Sequence, residues 1–130
     1  MKKCLRGEIY YADLGEGIGS EQAGLRPVVI IQNDIGNKYS TTVIVAPVTT
    51  KNHNKNSIPT HYQLNESCNK RKSIVLLEQL RVIDKKRLGR CIGKLTDRQM
   101  RELNLSLAIS IGIVDQSKHK NKDSRFERGF

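Results

Sequence analysis

From residue 8 to residue 95 the apolar segments of this chain read as strands, and a helical period first appears at Thr96. That order lacks the strand–helix–strand alternation of doubly wound folds and disfavours them. Residues 8–14 are β-prone and run into Gly15, Gly17 and Gly19, which permit a sharp loop. Pro27-Val28-Val29-Ile30-Ile31 is a continuous apolar run, as expected for a strand buried on both faces. Its Pro27 belongs at the strand start, where a missing N–H does least harm. Residues 33–37 carry turn chemistry. Residues 41–46 predict the next strand, with Pro47 at its end or at a bulge. A polar stretch at 51–57 reads as a mobile loop, and strands follow at 60–64, 73–83 (the longest) and 90–95.

The helix announces itself with a capping box. The Thr96 hydroxyl can accept from the Gln99 N–H, and the Gln99 side chain can reach back. Met100, Leu103, Leu107, Ile111 and Val114 then recur at helical spacing. Leu105, Ala108, Ile109 and Ile113 widen the stripe, so the helix is expected to bury more than one face. Strands first and a terminal helix last predict an α+β fold: a small, strongly curved antiparallel sheet or barrel with the helix laid against it. The length, 130 residues, suits one domain over residues 1–115, followed by a basic, disordered tail over 116–130.

The formal net charge of +10 points to a polyanionic partner. It is unevenly spread. Residues 1–50 hold five basic and five acidic side chains, whereas residues 85–101 hold seven basic residues against Asp97. Aromatic residues make up 5% and Trp is absent, so extensive base stacking is not the expected binding mode. Cys4, Cys68 and Cys91 lack any CxxC spacing, which argues against a disulfide framework or a cysteine zinc site. The N-terminus turns polar before a signal-peptide core can form, and no apolar stretch approaches a membrane span. A cytoplasmic, membrane-free protein is the expectation.

Familiar catalytic constellations are missing. His53, His61 and His119 are far apart, with no HxH, HExxH or paired-Asp motif to hold a metal. The glycines of residues 15–24 lie between two strands and lack GK[ST], which disfavours nucleotide binding. What remains is Arg26, fixed by Pro27 just before a buried strand, where a guanidinium can grip a phosphate with two donors. Pairing with Glu21 or capping a loop would serve a purely structural Arg26 equally well. Thr49 and Thr50 close the following strand, and their hydroxyls can reach the same mouth.

Several of these segments together resemble one family. Residues 6–14, Gly19-Ser20-Glu21-Gln22 with Arg26-Pro27-Val28 and Ile31-Gln32-Asn33-Asp34, Pro59-Thr60-His61, and residues 76–84 are similar, in order, to the MazF/PemK ribonuclease toxins, in their EndoA-like branch. The resemblance covers roughly residues 5–114. It implies an SH3-like barrel with a helical supplement, assembled as a homodimer. It also implies metal- and cofactor-independent, sequence-specific cleavage of single-stranded mRNA, restrained by a cognate acidic antitoxin. The family's catalytic arginine falls on Arg26 and its catalytic threonine on Thr49. Ser20, Glu21, Gln22, Pro59, Thr60, His61, Glu78, Gln79 and Arg81 would line the RNA groove. Three features depart from the pattern: Ala23 where relatives often have Gly, the basic loop at 51–57, and the tail after Asp115.

Such chemistry uses a nucleophile that RNA itself carries. The 2′-hydroxyl attacks the adjacent phosphorus, so a protein succeeds by holding the strand in line and stabilising phosphoryl charge. Arg26 is expected to stabilise that charge and to protonate the leaving oxygen, and Thr49 to donate to a non-bridging oxygen. The general base is unassigned, with Glu21 and His61 as candidates. Two other classes stay open: a DNA-gyrase poison of the CcdB type, which would give weight to the terminal helix, and a non-catalytic nucleic-acid-binding barrel.

Overall fold

The computed structural model describes residues 3–50, 58–64 and 73–115. The loop at 51–57 and the tail at 116–130 therefore lie outside the described residues. Seven strands make one antiparallel sheet: β1 (Glu8–Asp13), β2 (Leu25–Ile30), β3 (Thr42–Thr49), β4 (His61–Leu64), β5 (Ser73–Leu76), β6 (Arg81–Asp84) and β7 (Leu88–Lys94). Two helices join them, α1 (Asp34–Tyr39) and α2 (Asp97–Ser110), with 3-10 turns at Leu77–Gln79 and Lys85–Arg87. The strand path runs β4-β5-β3-β2-β1-β7, with β6 also paired to β3. The fold is thus α+β, antiparallel, with a C-terminal helix.

Both sides of the sheet are covered. Ala12, Leu14, Val28, Ile30, Val43 and Val45 pack on one side with Tyr10, Ile83 and Leu88. Val29, Ile31, Ala46, Val48, Val75 and Leu77 pack on the other against Leu103 of α2. This two-sided burial is why residues 27–31 read as an unbroken apolar run.

Three sequence expectations change. The segment 33–37 is the start of a helix rather than a turn: Asn33 Oδ1 accepts from Gly36 N at 2.8 Å, an N-cap, and α1 runs on to Tyr39. Asn at this position serves turns and N-caps equally. The long strand at 73–83 is two strands separated by the 3-10 turn Leu77–Gln79. The terminal helix ends at Ser110, so Ile111, Ile113 and Val114 lie beyond it, and it buries chiefly one face: Leu103 is buried, Met100 and Leu107 pack beside it, Ala108 and Ile109 are half-buried, and Leu105 is exposed. Its capping box forms as expected, Gln99 N to Thr96 Oγ1 at 3.1 Å and Thr96 N to Gln99 Oε1 at 2.8 Å.

Pro47 and the broken strand are two views of one feature. Instead of ending β3, Pro47 sits inside it, opposite Val28 of β2. Ile44 directs its carbonyl towards Ile31 N, so the odd-numbered residues of β3 direct theirs to the other edge. Along that edge β6 pairs residues 42–45 and β5 pairs 48 and 49. Pro47 falls in the gap between them, beside the 3-10 turn, where no ladder bond needs its missing N–H. The gap frees Glu78 and Gln79 to leave the sheet.

Candidate active site

Arg26 is the second residue of β2, and Thr49 is the last of β3. The β2–β3 pairing ends at Val28 opposite Pro47; continued by two residues, the same register would set Arg26 against Thr49. Directly opposed residues of an antiparallel pair point to the same face. Arg26 is partly buried, and its Nε donates to the Ala23 carbonyl at 2.8 Å. That bond leaves the two terminal nitrogens of the guanidinium for another partner. Thr49 is buried at 7% exposure and pairs with Ile74 of β5.

The segment before β2 and the 3-10 turn wall a cavity of about 570 Å³ lined by Glu16, Ser20, Glu21, Gln22, Glu78, Gln79, Leu80 and Arg81. Six of these eight were anticipated. Glu16 and Leu80 were not: the place of Glu16 depends on how the loop folds and that of Leu80 on the break between β5 and β6, and no local motif encodes either. Arg26 and Thr49 are not among the lining residues; Arg26 lies two residues beyond the loop 15–24 that forms one wall.

That loop, residues 15–24, is closed at its base by Leu14 N to Gly24 O at 2.9 Å and Gly24 N to Gly15 O at 2.8 Å. Within it Glu21 Oε1 accepts from Ile18 N at 2.8 Å. Gly17 permits the tight turn, since a Cβ there would stand 2.9 Å from the Glu21 carbonyl oxygen. The same Cβ would meet that of Ala23 at 3.3 Å, so Ala23 fits the loop only because residue 17 has no side chain.

The opposite wall is the 3-10 turn. Glu78 gathers the predicted residues of β4 and the turn before it. Its Oε2 lies 2.9 Å from His61 Nε2, and its Oε1 accepts from Thr60 Oγ1 at 3.2 Å. Pro59 is exposed in that preceding turn. The terminal helix braces this wall: Ser110 Oγ donates to Leu77 O at 3.0 Å, and Leu77 N donates to Thr60 O at 3.0 Å.

Glu16, Glu21 and Glu78 oppose only Arg81 among the charged lining residues. A cavity of that sign suits N–H donors on base edges better than phosphate oxygens. Among the described residues no three His, Cys, Asp or Glu side chains group to hold a metal ion, and no helix is long and apolar enough to cross a membrane.

The model of one family, PemK-like, MazF-like toxins of type II toxin–antitoxin systems, matches residues 5–111. The chain belongs to this family. It is 50% identical over 117 residues to Endoribonuclease MazF of Staphylococcus saprophyticus, covering 88% of this chain and 97% of that protein. An endoribonuclease from a mycobacterial species, solved in complex with its cognate antitoxin, superposes with a TM-score of 0.71 at 27% identity, covering 85% of this chain and 97% of its own. MazF from Deinococcus radiodurans shares the fold, with a TM-score of 0.72 at 18% identity, 86% of this chain and 99% of that one. The membership accounts for the order of motifs from residue 6 to residue 84.

Proposed function

We propose that this MazF-family toxin is a metal-independent endoribonuclease that cuts single-stranded mRNA, with Arg26 and Thr49 as its catalytic residues. What supports this reading is the β2–β3 register, which if continued two residues past Val28 and Pro47 would oppose Arg26 and Thr49, next to a loop that walls an acidic cavity. The 2′-oxygen attacks phosphorus, the P–O5′ bond breaks, and the products are a 2′,3′-cyclic phosphate and a 5′-hydroxyl. Arg26 stabilises the charge gathering on the phosphoryl oxygens and donates a proton to the leaving 5′ oxygen. Thr49 donates to a non-bridging oxygen. The proton from the 2′-hydroxyl passes to a base for which Glu21 and His61 are the candidates. One oxygen of Glu21 already holds Ile18 N, and His61 Nε2 faces Glu78.

Ser20, Glu21, Gln22, Glu78, Gln79 and Arg81 line the pocket that receives a splayed base, and Pro59, Thr60 and His61 extend its rim. The strands form an SH3-like barrel, and two copies of the chain assemble so that the RNA groove spans both. The basic second half of the sequence draws in RNA, or an acidic cognate antitoxin that competes for the same groove. The protein works in the cytoplasm. Cleavage products carry the test. In EDTA the cut RNA is expected to bear 2′,3′-cyclic phosphate and 5′-hydroxyl ends; 5′-phosphate ends, or a metal requirement, would overturn the mechanism. Trapped gyrase with intact RNA would favour the gyrase-poison reading.

A further inference from the structure

Gln79 was expected to line the RNA groove, yet its amide is already engaged on both sides. Its Oε1 accepts from Gln22 N at 2.9 Å, and its Nε2 donates to Ser20 O at 3.2 Å. Both partners are backbone groups at the tip of the loop 15–24. The hydrogen bonds that leave residues 18–22 among the described residues both end on this one side chain. The other bonds of the tip, between Ile18 and Glu21, stay within it.

We infer that Gln79 is a positioning residue: its amide latches the loop onto the 3-10 turn and so holds Arg26 in place for the reaction proposed above, on which this inference rests. The link to Arg26 is short. Ala23 directly follows the latched Gln22, and its carbonyl anchors Arg26 Nε at 2.8 Å. The base of the loop is fixed through Gly15 and Gly24, so a released tip shifts residues 16–23 and carries the Ala23 carbonyl with it. The other half of the latch is rigid. Leu77 is fully buried, and α2 and residue 60 both hydrogen-bond its backbone.

A second observation shows that the closed loop is held against resistance. Among the described residues Gln22 Oε1 is buried with no hydrogen-bond partner. Leaving an amide oxygen dry and unpaired costs as much as one or two neutral hydrogen bonds contribute. The two bonds from Gln79 therefore hold the loop by a narrow margin. Removing them releases the tip and lets Gln22 Oε1 reach water. Base reading then falls to groups with spare capacity, Glu16 and Arg81 among them.

The test uses the full chain with Gln79→Ala and the near-isosteric Gln79→Met, measuring amide hydrogen exchange and RNA cleavage together. Loss of one backbone bond is expected to speed exchange of the Gln22 amide about tenfold in both variants, with core amides such as that of Val29 unchanged. The saturated cleavage rate is expected to fall about tenfold, KM to stay within about twofold, and the cut sites to remain the same. Unchanged exchange at Gln22 would overturn the latch, as would a full cleavage rate combined with altered cut sites, the signature of direct base reading. If the wild type cuts no RNA, the proposed function fails while the exchange result still decides whether the latch exists.

Discussion

Leu103→Ala tests how the terminal helix holds the site wall. Leu103 is fully buried among Val29, Ile31, Ala46, Val48, Val75, Leu77 and Leu95, most of them on paired strands that cannot move in to fill a gap. Removing three carbons there loses their transfer free energy and leaves most of the cavity open, a cost of about 3 kcal/mol. For a domain of this size that corresponds to a fall in Tm of about 12 °C, at roughly 4 °C per kcal/mol. Leu105 is the control: it is 56% exposed on the same helix, and its truncation is expected to cost less than about 0.5 kcal/mol. Thermal unfolding followed by circular dichroism, with urea midpoints beside it, measures both. Equal losses at the two positions would refute a helix buried on one face. The consequence reaches the site, because Ser106 and Ser110 of the same helix bond to His61 O and Leu77 O.

Two smaller perturbations probe separate parts of the account. Thr96→Ala removes one half of the capping box and is expected to cost about 1 kcal/mol, read from urea unfolding; no change would mean that packing alone sets the helix start. Burial, and then the Glu8 carboxylate 3.0 Å from its hydroxyl, hold the Tyr10 phenol above the usual tyrosine range. The folded state therefore keeps this proton where the unfolded chain loses it, near pH 10. The stabilisation is complete below about pH 10 and is lost as pH rises towards the folded value. Tyr10→Phe should remove that alkaline loss, seen in urea midpoints from pH 8 to 11, and a wild-type midpoint that stays flat would contradict it.

Local signals were strongest where one physical cause dominates. Residues 27–31 are apolar because the sheet is covered on both sides, and Thr96 with Gln99 is a cap whatever lies around it. Elsewhere the same residues admit two structures. Asn33 can open a turn or cap a helix, and only the polar contacts around Asp34 and Asn37 favour the helix. Leu76, Leu77 and Leu80 read as strand, and the break between them follows from Pro47, thirty residues earlier in the chain. Most of the cavity lining was legible through the family resemblance, since Ser20, Glu21, Gln22 and residues 78–81 lie in its marked segments. Glu16 was not, because its place depends on a loop closed by Gly15, Gly24 and the Gln79 amide. Relating Arg26 to Thr49 needed the β2–β3 register, which depends on strands more than a dozen residues apart.

The central claim is that Arg26 and Thr49 carry out RNA cleavage. The most direct measurement is the single-turnover rate at saturating single-stranded RNA, in EDTA, for wild type, Arg26→Ala and Thr49→Ala, each checked for an unchanged circular dichroism spectrum. The account predicts a fall of about a hundredfold or more in each variant, the size expected for losing a preorganised donor at developing charge. A folded variant of either kind that cuts within about threefold of the wild-type rate would contradict it.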